Sequence, residues 1–246
     1  MRLHRRKLIL GCASVAAMTA GESAARPLKR AGARRGRKPA PVQKIAWTPA
    51  VTAAPADSSV VVTTAPSLPR VALDPQGMVR KGLLDDALIA LKRHGDRIPN
   101  KDHMYLVDFR LHSSKPRLFR LDLRTGEVEA FRTAHGKGSD PSRTGFAQRF
   151  SNTPNSSASS VGAYLTAGQS VGARDGENVL LEGLDRTNSE ARARAIIVHG
   201  ADYCEPGYLA HEGMLGRSNG CFALSHEDLK VLRPKMDSGR LIFAGL

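Results

Sequence analysis

From Met78 to His94 the apolar residues Leu83, Leu84, Ala87, Leu88 and Leu91 recur every three or four positions, which gathers them on one face of an amphipathic helix. Gly95 follows as its stop. The pattern then changes. His103–Arg110, Leu118–Leu123 and Val128–Thr133 are short and mixed polar and apolar, which predicts strands, with Arg124-Thr125-Gly126-Glu127 as the turn between the last two. Residues 136–160 are rich in Gly, Ser, Asn and Pro and read as one long loop. Further strands are predicted at Gly162–Leu165, Asn178–Glu182 and Ala193–Val198, the last an apolar run suited to a buried strand. Ser225, with Asp228 three residues on, is a capping-box-like start for a helix through about Met236, and Arg240–Ala244 closes with a strand. Many short strands, two helices and one long loop predict a mainly β (α+β) domain over residues 71–246, without internal repeats.

The chain ahead of this domain follows other rules. Arg2, Arg5, Arg6 and Lys7 precede the apolar stretch Leu8–Ala20, and Ser23-Ala24-Ala25 supplies small residues for cleavage, so residues 1–25 read as an export signal peptide. The twin-arginine and general secretory routes both fit this start, and the apolar run is short for a membrane span. Residues 26–70 read as a flexible linker, basic at first and then rich in Pro and Ala, with too little large apolar surface to offset ordering entropy. The expected location is the periplasm or cell envelope.

Composition enters here as a test. The 246 residues carry 37 Lys and Arg against 23 Asp and Glu, a net charge of +14, and three cysteines. That excludes a collagen-like fibre, a disulfide-dense miniprotein and a polytopic membrane protein. A charge of this size invites a nucleic-acid reading. Residues 1–38, however, hold eleven Lys and Arg and one acid, a net of +10, which leaves +4 for the rest. The reading is therefore no nucleic acid. The basic block at 26–38 suits an anionic envelope polymer, or serves as a solvated spacer.

The densest chemistry lies in Ile197-Val198-His199-Gly200 and Gly216-Arg217-Ser218-Asn219-Gly220-Cys221. A cysteine set among Gly and small polar residues is reachable by a substrate, and a histidine from a strand end can act as its base. A neighbouring imidazole and the cation of Arg217 would both favour the thiolate. Gly220 permits a backbone in which the amides of Gly220 and Cys221 point at a developing oxyanion. Spacing alone leaves open an inert buried cysteine beside a core histidine.

HGADY and LGRSNGC, with GKGSDP and FSNTPNSSASSVGAY upstream, resemble the murein L,D-transpeptidase catalytic-domain family, a branch related to the YkuD-type cysteine transpeptidases, over roughly residues 76–246. The resemblance implies a β-sandwich with a few peripheral helices and acyl transfer on peptidoglycan stem peptides, without ATP, metal or other cofactor. By position, Cys221 matches the nucleophile and His199 the base, with Gly200, Ser218, Asn219 and Gly220 supporting the loop. Arg217 matches the arginine of the GRS segment, and Ser160 and Tyr164 fall in the substrate-side segment. The broader pattern has a histidine where Asn219 stands and an arginine where Ala223 stands, which weakens any transfer of substrate preference. The implied product is a 3-3 cross-link made through a Cys221 thioester. The alternatives are an L,D-carboxypeptidase or endopeptidase using water, and a non-catalytic envelope-binding protein.

Other residues keep two readings each. His135 lines the cleft or is structural; Arg143, Arg149 and Asn152 bind carboxylates or are solvated; Asp202 and Tyr203 shape the cleft or simply pack. His199, Cys204, His211 and Cys221 lack the close spacing of a zinc site, so no metal is expected. Cys204 either pairs with Cys221 in an oxidising compartment or packs as an isolated thiol. The sequence carries no oligomer signal.

Overall fold

The computed structural model describes residues 71–173 and 176–246. The expected signal peptide (1–25) and linker (26–70) lie outside the described residues. The domain opens with α1 (Lys81–Arg93), whose buried stripe is Leu83, Ala87 and Ala90. It starts later than periodicity predicts because the Asp74 carboxylate accepts the N–H groups of Met78 (2.9 Å) and Val79 (2.7 Å), holding them in a preceding turn. Lys92 and Arg93 in the last turn suit the helix dipole, and His94 caps the end.

Ten strands follow among the described residues: β1 (His103–Asp108), β2 (Leu118–Asp122), β3 (Val128–Phe131), β4 (His135–Gly136), β5 (Gly162–Gly172), β6 (Gly176–Gly183), β7 (Ile197–Gly200), β8 (Arg217–Ser218), β9 (Phe222–Leu224) and β10 (Leu241–Gly245). Eight of them form one sheet in the order β3-β2-β1-β10-β5-β6-β7-β9, and β4 pairs with β8 in a small second sheet. The pairs β1–β10 and β7–β9 are parallel, and the other neighbours in the large sheet are antiparallel. The class is mainly β with peripheral helices, as the sequence predicts.

Strand alternation splits the core in two. Met104 and Leu106 join Leu121, Ala163 and Leu241 beneath the apolar face of α1. Tyr105 and Val107 face the other way, into the larger cluster with Tyr164, Val179, Val198, Phe222 and Ile242. Leu229 and Leu232 of α3 (His226–Leu232) close that second cluster, and the Ser225 side chain caps α3 by accepting the Asp228 N–H.

Three differences from the predicted elements have physical causes. The strand expected at Ala193 begins at Ile197, because residues 188–195 form successive turns, with Ala195 at φ +52°. The β5–β6 arm runs well past its apolar residues, sustained by cross-strand pairing around a bulge between Thr166 and Gln169. Finally, α2 (Pro206–Glu212) was not predicted, although Pro206 in its first turn and left-handed Gly213 at its end are the usual start and stop signals.

Candidate active site

The site is built where β7 and β9 run parallel, with Val198 opposite Phe222 and His199 opposite Ala223. Val198 and Phe222 are both sealed in the core, which fixes the register. Cys221 is the residue just before β9, so it and His199 come from adjacent strands, and both line a cleft of about 930 Å³. The histidine ring is buried and Cys221 is half-buried. His199 Nδ1 lies 2.9 Å from the Gly200 carbonyl oxygen. A carbonyl only accepts, so Nδ1 carries the proton and Nε2 of the neutral ring keeps the basic lone pair.

The turn carrying Cys221 is held by Ser218. Its Oγ accepts the Gly220 N–H at 3.0 Å and donates to the Cys221 carbonyl at 2.8 Å. Gly220 sits at φ +121°, and a Cβ there would come within 2.7 Å of the Ala158 carbonyl and 2.9 Å of Ile196 Cδ1, so only glycine fits. This corrects one expectation. The Gly220 N–H is committed to Ser218 and does not point at a reacting oxygen. The Asn219 side chain, by contrast, is exposed and lines the cleft.

The small β4–β8 sheet brings the Gly-rich upstream loop against this turn, pairing His135 with Arg217 and Gly136 with Ser218. Arg217 lines the cleft while its guanidinium donates to the Asp140 carbonyl. Two residues expected to meet substrate do not. Tyr164 and Ser160 are fully buried, because alternation along β5 turns Tyr164 into the core, where its hydroxyl donates to the Ser160 carbonyl at 2.9 Å. Arg143, Arg149 and Asn152 stay outside the cleft lining: Arg143 is tied to Tyr208 and Glu212, and Asn152 to Arg186 and Ser189. Lys137, Arg194, Asp202, Tyr203 and His226 do line it, and His226 Nε2 is 3.0 Å from Asp202 Oδ1. Arg194 and His226 escaped the sequence reading because both reach the cleft only through the fold.

Cys204 and Cys221 are not joined in a disulfide. Cys204 packs with Ala134, Leu215 and Ala223, and burial pushes its thiol up to about 12, so it is an inert core thiol. His211 points outward beside Glu212. Among the described residues no three His, Cys, Asp or Glu side chains converge as a metal site would require.

A family model described as the L,D-transpeptidase catalytic domain matches residues 76–244. The chain belongs to this family. Solved structures similar to it include an L,D-transpeptidase from Mycobacterium smegmatis (12% identity, TM-score 0.37, covering 59% of each chain). Two more are an L,D-transpeptidase from Mycobacterium tuberculosis H37Rv (15%, TM-score 0.38, 59% of this chain and 58% of that one) and L,D-transpeptidase 3 from Mycobacterium tuberculosis (15%, TM-score 0.37, 59% and 61%). The match thus spans about three-fifths of the length of those chains. Comparison with curated proteins found no match.

Beneath this L,D-transpeptidase domain's cleft lies a buried polar network, and His135 belongs to it rather than to the cleft. Arg117, fully buried, donates to the Thr133 carbonyl (2.8 Å), the Leu111 carbonyl (2.9 Å) and His135 Nδ1 (2.7 Å). Since the guanidinium only donates, the neutral His135 ring carries its proton on Nε2, 3.5 Å from Asp140 Oδ2. Burial, and then the charge of Arg117, lower the His135 pKa to about 4. The folded pKa is thus below the unfolded one, so stability is complete above about pH 6.5 and is lost as pH falls towards 4. Between pH 7 and pH 5 this histidine is expected to cost about 2 kcal/mol, read from urea unfolding midpoints. In His135→Asn, whose amide oxygen replaces Nδ1 without titrating, that part of the loss should vanish; an unchanged loss would rule His135 out as its source.

Proposed function

We propose that this chain is an exported cysteine acyltransferase that forms 3-3 cross-links between peptidoglycan stem peptides. The observation that carries the reading is the His199 ring, locked through Nδ1 to the Gly200 carbonyl with Nε2 left basic, in one cleft with Cys221. The Cys221 thiol passes its proton to His199 Nε2, the thiolate attacks the carbonyl of the third residue of a donor tetrapeptide, and the terminal D-Ala leaves as its amine takes that proton from Nε2. The resulting thioester is then attacked by an acceptor amine, which gives its proton to His199 Nε2 as the Cys221 thiolate is released. With the Gly220 amide committed to Ser218, the Asn219 side-chain amide is the donor proposed for the tetrahedral oxyanion.

The lining supports an acidic peptide substrate: Lys137, Arg194, Arg217 and Lys230 face Glu177 and Asp202 alone among ionised side chains. The signal-like residues 1–25 support export, and the cations of 26–38 support a tether to an anionic envelope polymer.

Incubation of the purified chain with disaccharide tetrapeptides, followed by chromatography and mass spectrometry, separates the readings. Cross-linking gives dimers that have lost one terminal D-Ala. Tripeptide monomers alone would assign the same residues to a hydrolase. Unchanged substrate, with the chain still sedimenting with sacculi, would leave a binding protein.

A further inference from the structure

Arg194 lies in the last of the turns before β7, its N–H bonded to the Glu190 carbonyl at 2.8 Å. Its guanidinium reaches into the loop over residues 151–160. Nη1 donates to the Ser151 carbonyl (2.7 Å) and Ser160 Oγ (2.8 Å), and Nη2 donates to Ser156 Oγ (3.3 Å) and the Ala158 carbonyl (2.5 Å). Four of its five N–H groups are therefore spent on one loop, and every acceptor is uncharged. Among the described residues Arg194 forms no ion pair, although it is partly buried.

A half-desolvated cation without a carboxylate partner is costly unless some other anion faces it. The same guanidinium packs on the nucleophile turn: a Cβ on Gly220 would lie 3.2 Å from Arg194 Nη2. Burial lowers the Arg194 pKa, while Tyr164 and Cys221, in their ionised forms, pull it back up. Tyr164 is no candidate for that anion, since burial pushes its hydroxyl up to about 12. Ala223 stands where the broader pattern has its arginine, so no cation stands at that position, and the Arg217 guanidinium is turned to the Asp140 carbonyl of another loop.

We infer that Arg194 is a positioning residue with two linked tasks: it clasps the loop 151–160 against the Gly220–Cys221 turn, and its uncompensated charge holds Cys221 as a thiolate. The inference rests on Cys221 being the nucleophile. With its donors already bound to the loop, Arg194 acts on the thiolate through its field and leaves substrate contact to other side chains.

The test is the pH dependence of iodoacetamide alkylation at Cys221 in the full chain, quantified on the Cys221 peptide so that Cys204 does not contribute. Arg194→Gln is expected to move the inflection up by about one unit, slowing alkylation about tenfold at pH values below it. Arg194→Lys keeps the charge and should move it less than half as far, while both variants lose acyl transfer because neither rebuilds the four-bond clasp. A folded Arg194→Gln protein with the parent inflection, or equal shifts in Gln and Lys, overturns the inference. Should Arg194→Gln fail to fold, the double variant Ser156→Ala/Ser160→Ala carries the question. It frees the guanidinium from two of its four acceptors, and an upward inflection supports the inference where an unmoved one overturns it. Alkylation needs no stem peptide, so the outcome for Arg194 is independent of the cross-linking assay. A parent Cys221 that titrates at about 8.5, as an unperturbed thiol does, overturns the inference as well, whereas the nucleophile reading stands or falls on D-Ala release by Cys221→Ala.

Discussion

Cys221→Ala is expected to lower acyl transfer by about 10³-fold or more, and His199→Ala by a comparable factor, with the double variant no slower than the worse single one. In the proposed mechanism the two side chains work as one unit: the thiolate attacks while the imidazole manages the proton for the leaving and the incoming amine, so removing either is expected to abolish the step the other serves. The geometry sharpens this for His199. Its Nδ1–H is spent on the Gly200 carbonyl, so Nε2 is the one ring atom that can exchange a proton in the cleft. His199→Gln retains a polar group without a titratable lone pair and should be as poor as His199→Ala. Initial rates of D-Ala release from a tetrapeptide measure all four proteins. Strictly multiplicative losses in the double variant would show two independent contributions and sink the paired mechanism.

Arg117→Leu is expected to destabilise the domain by about 3–5 kcal/mol, the largest effect of any substitution outside the cleft. Leucine fills part of the space but abandons the Thr133 and Leu111 carbonyls and the His135 ring nitrogen, with Thr133 and His135 fully buried. It also removes a cation lying 5.6 Å over the Phe109 ring. Burial already brings the Arg117 guanidinium down to about 9, opposed by the nearby Cys204, Asp108 and Asp140. A lysine there would shed its proton more readily and reach fewer acceptors, so Arg117→Lys should recover less than half of the loss. Urea unfolding monitored by circular dichroism gives both values. A cost below about 1 kcal/mol for leucine would mean that the network relaxes around the gap or admits water.

Much of the candidate site was legible in the sequence because its residues are concentrated in two short segments. His199 sits at the end of an apolar run, and Cys221 sits among small residues that permit close backbone approach. The strands of the core showed as short runs of mixed or apolar residues between turn signals, and α3 through Ser225 and Asp228. What stayed hidden depends on contacts between distant segments. Arg194 is one cation in a charged stretch, and only the return of residues 151–160 across Gly220 gives it a task. The two-residue strands β4 and β8 are too short to have a period. Tyr164 and Ser160 were assigned from their place in a motif, whereas strand alternation turns Tyr164 inward and bonds to Ser151 and Arg194 hold Ser160.

The back-to-back contact of Gly136 and Gly220 has a consequence for how such a site can change over generations. A Cβ on Gly136 would fall 2.9 Å from both Cα and N of Gly220, and one on Gly220 would strike the Ala158 carbonyl. The floor under Cys221 is thus largely main chain on main chain, with little side-chain volume to trade. Substitution cannot widen or tilt it in small steps. New specificity has to be written on the rim instead, at exposed positions such as Lys137 and Asn219, where side chains vary without disturbing the backbone below. The domain therefore separates a fixed anvil from an adjustable jaw.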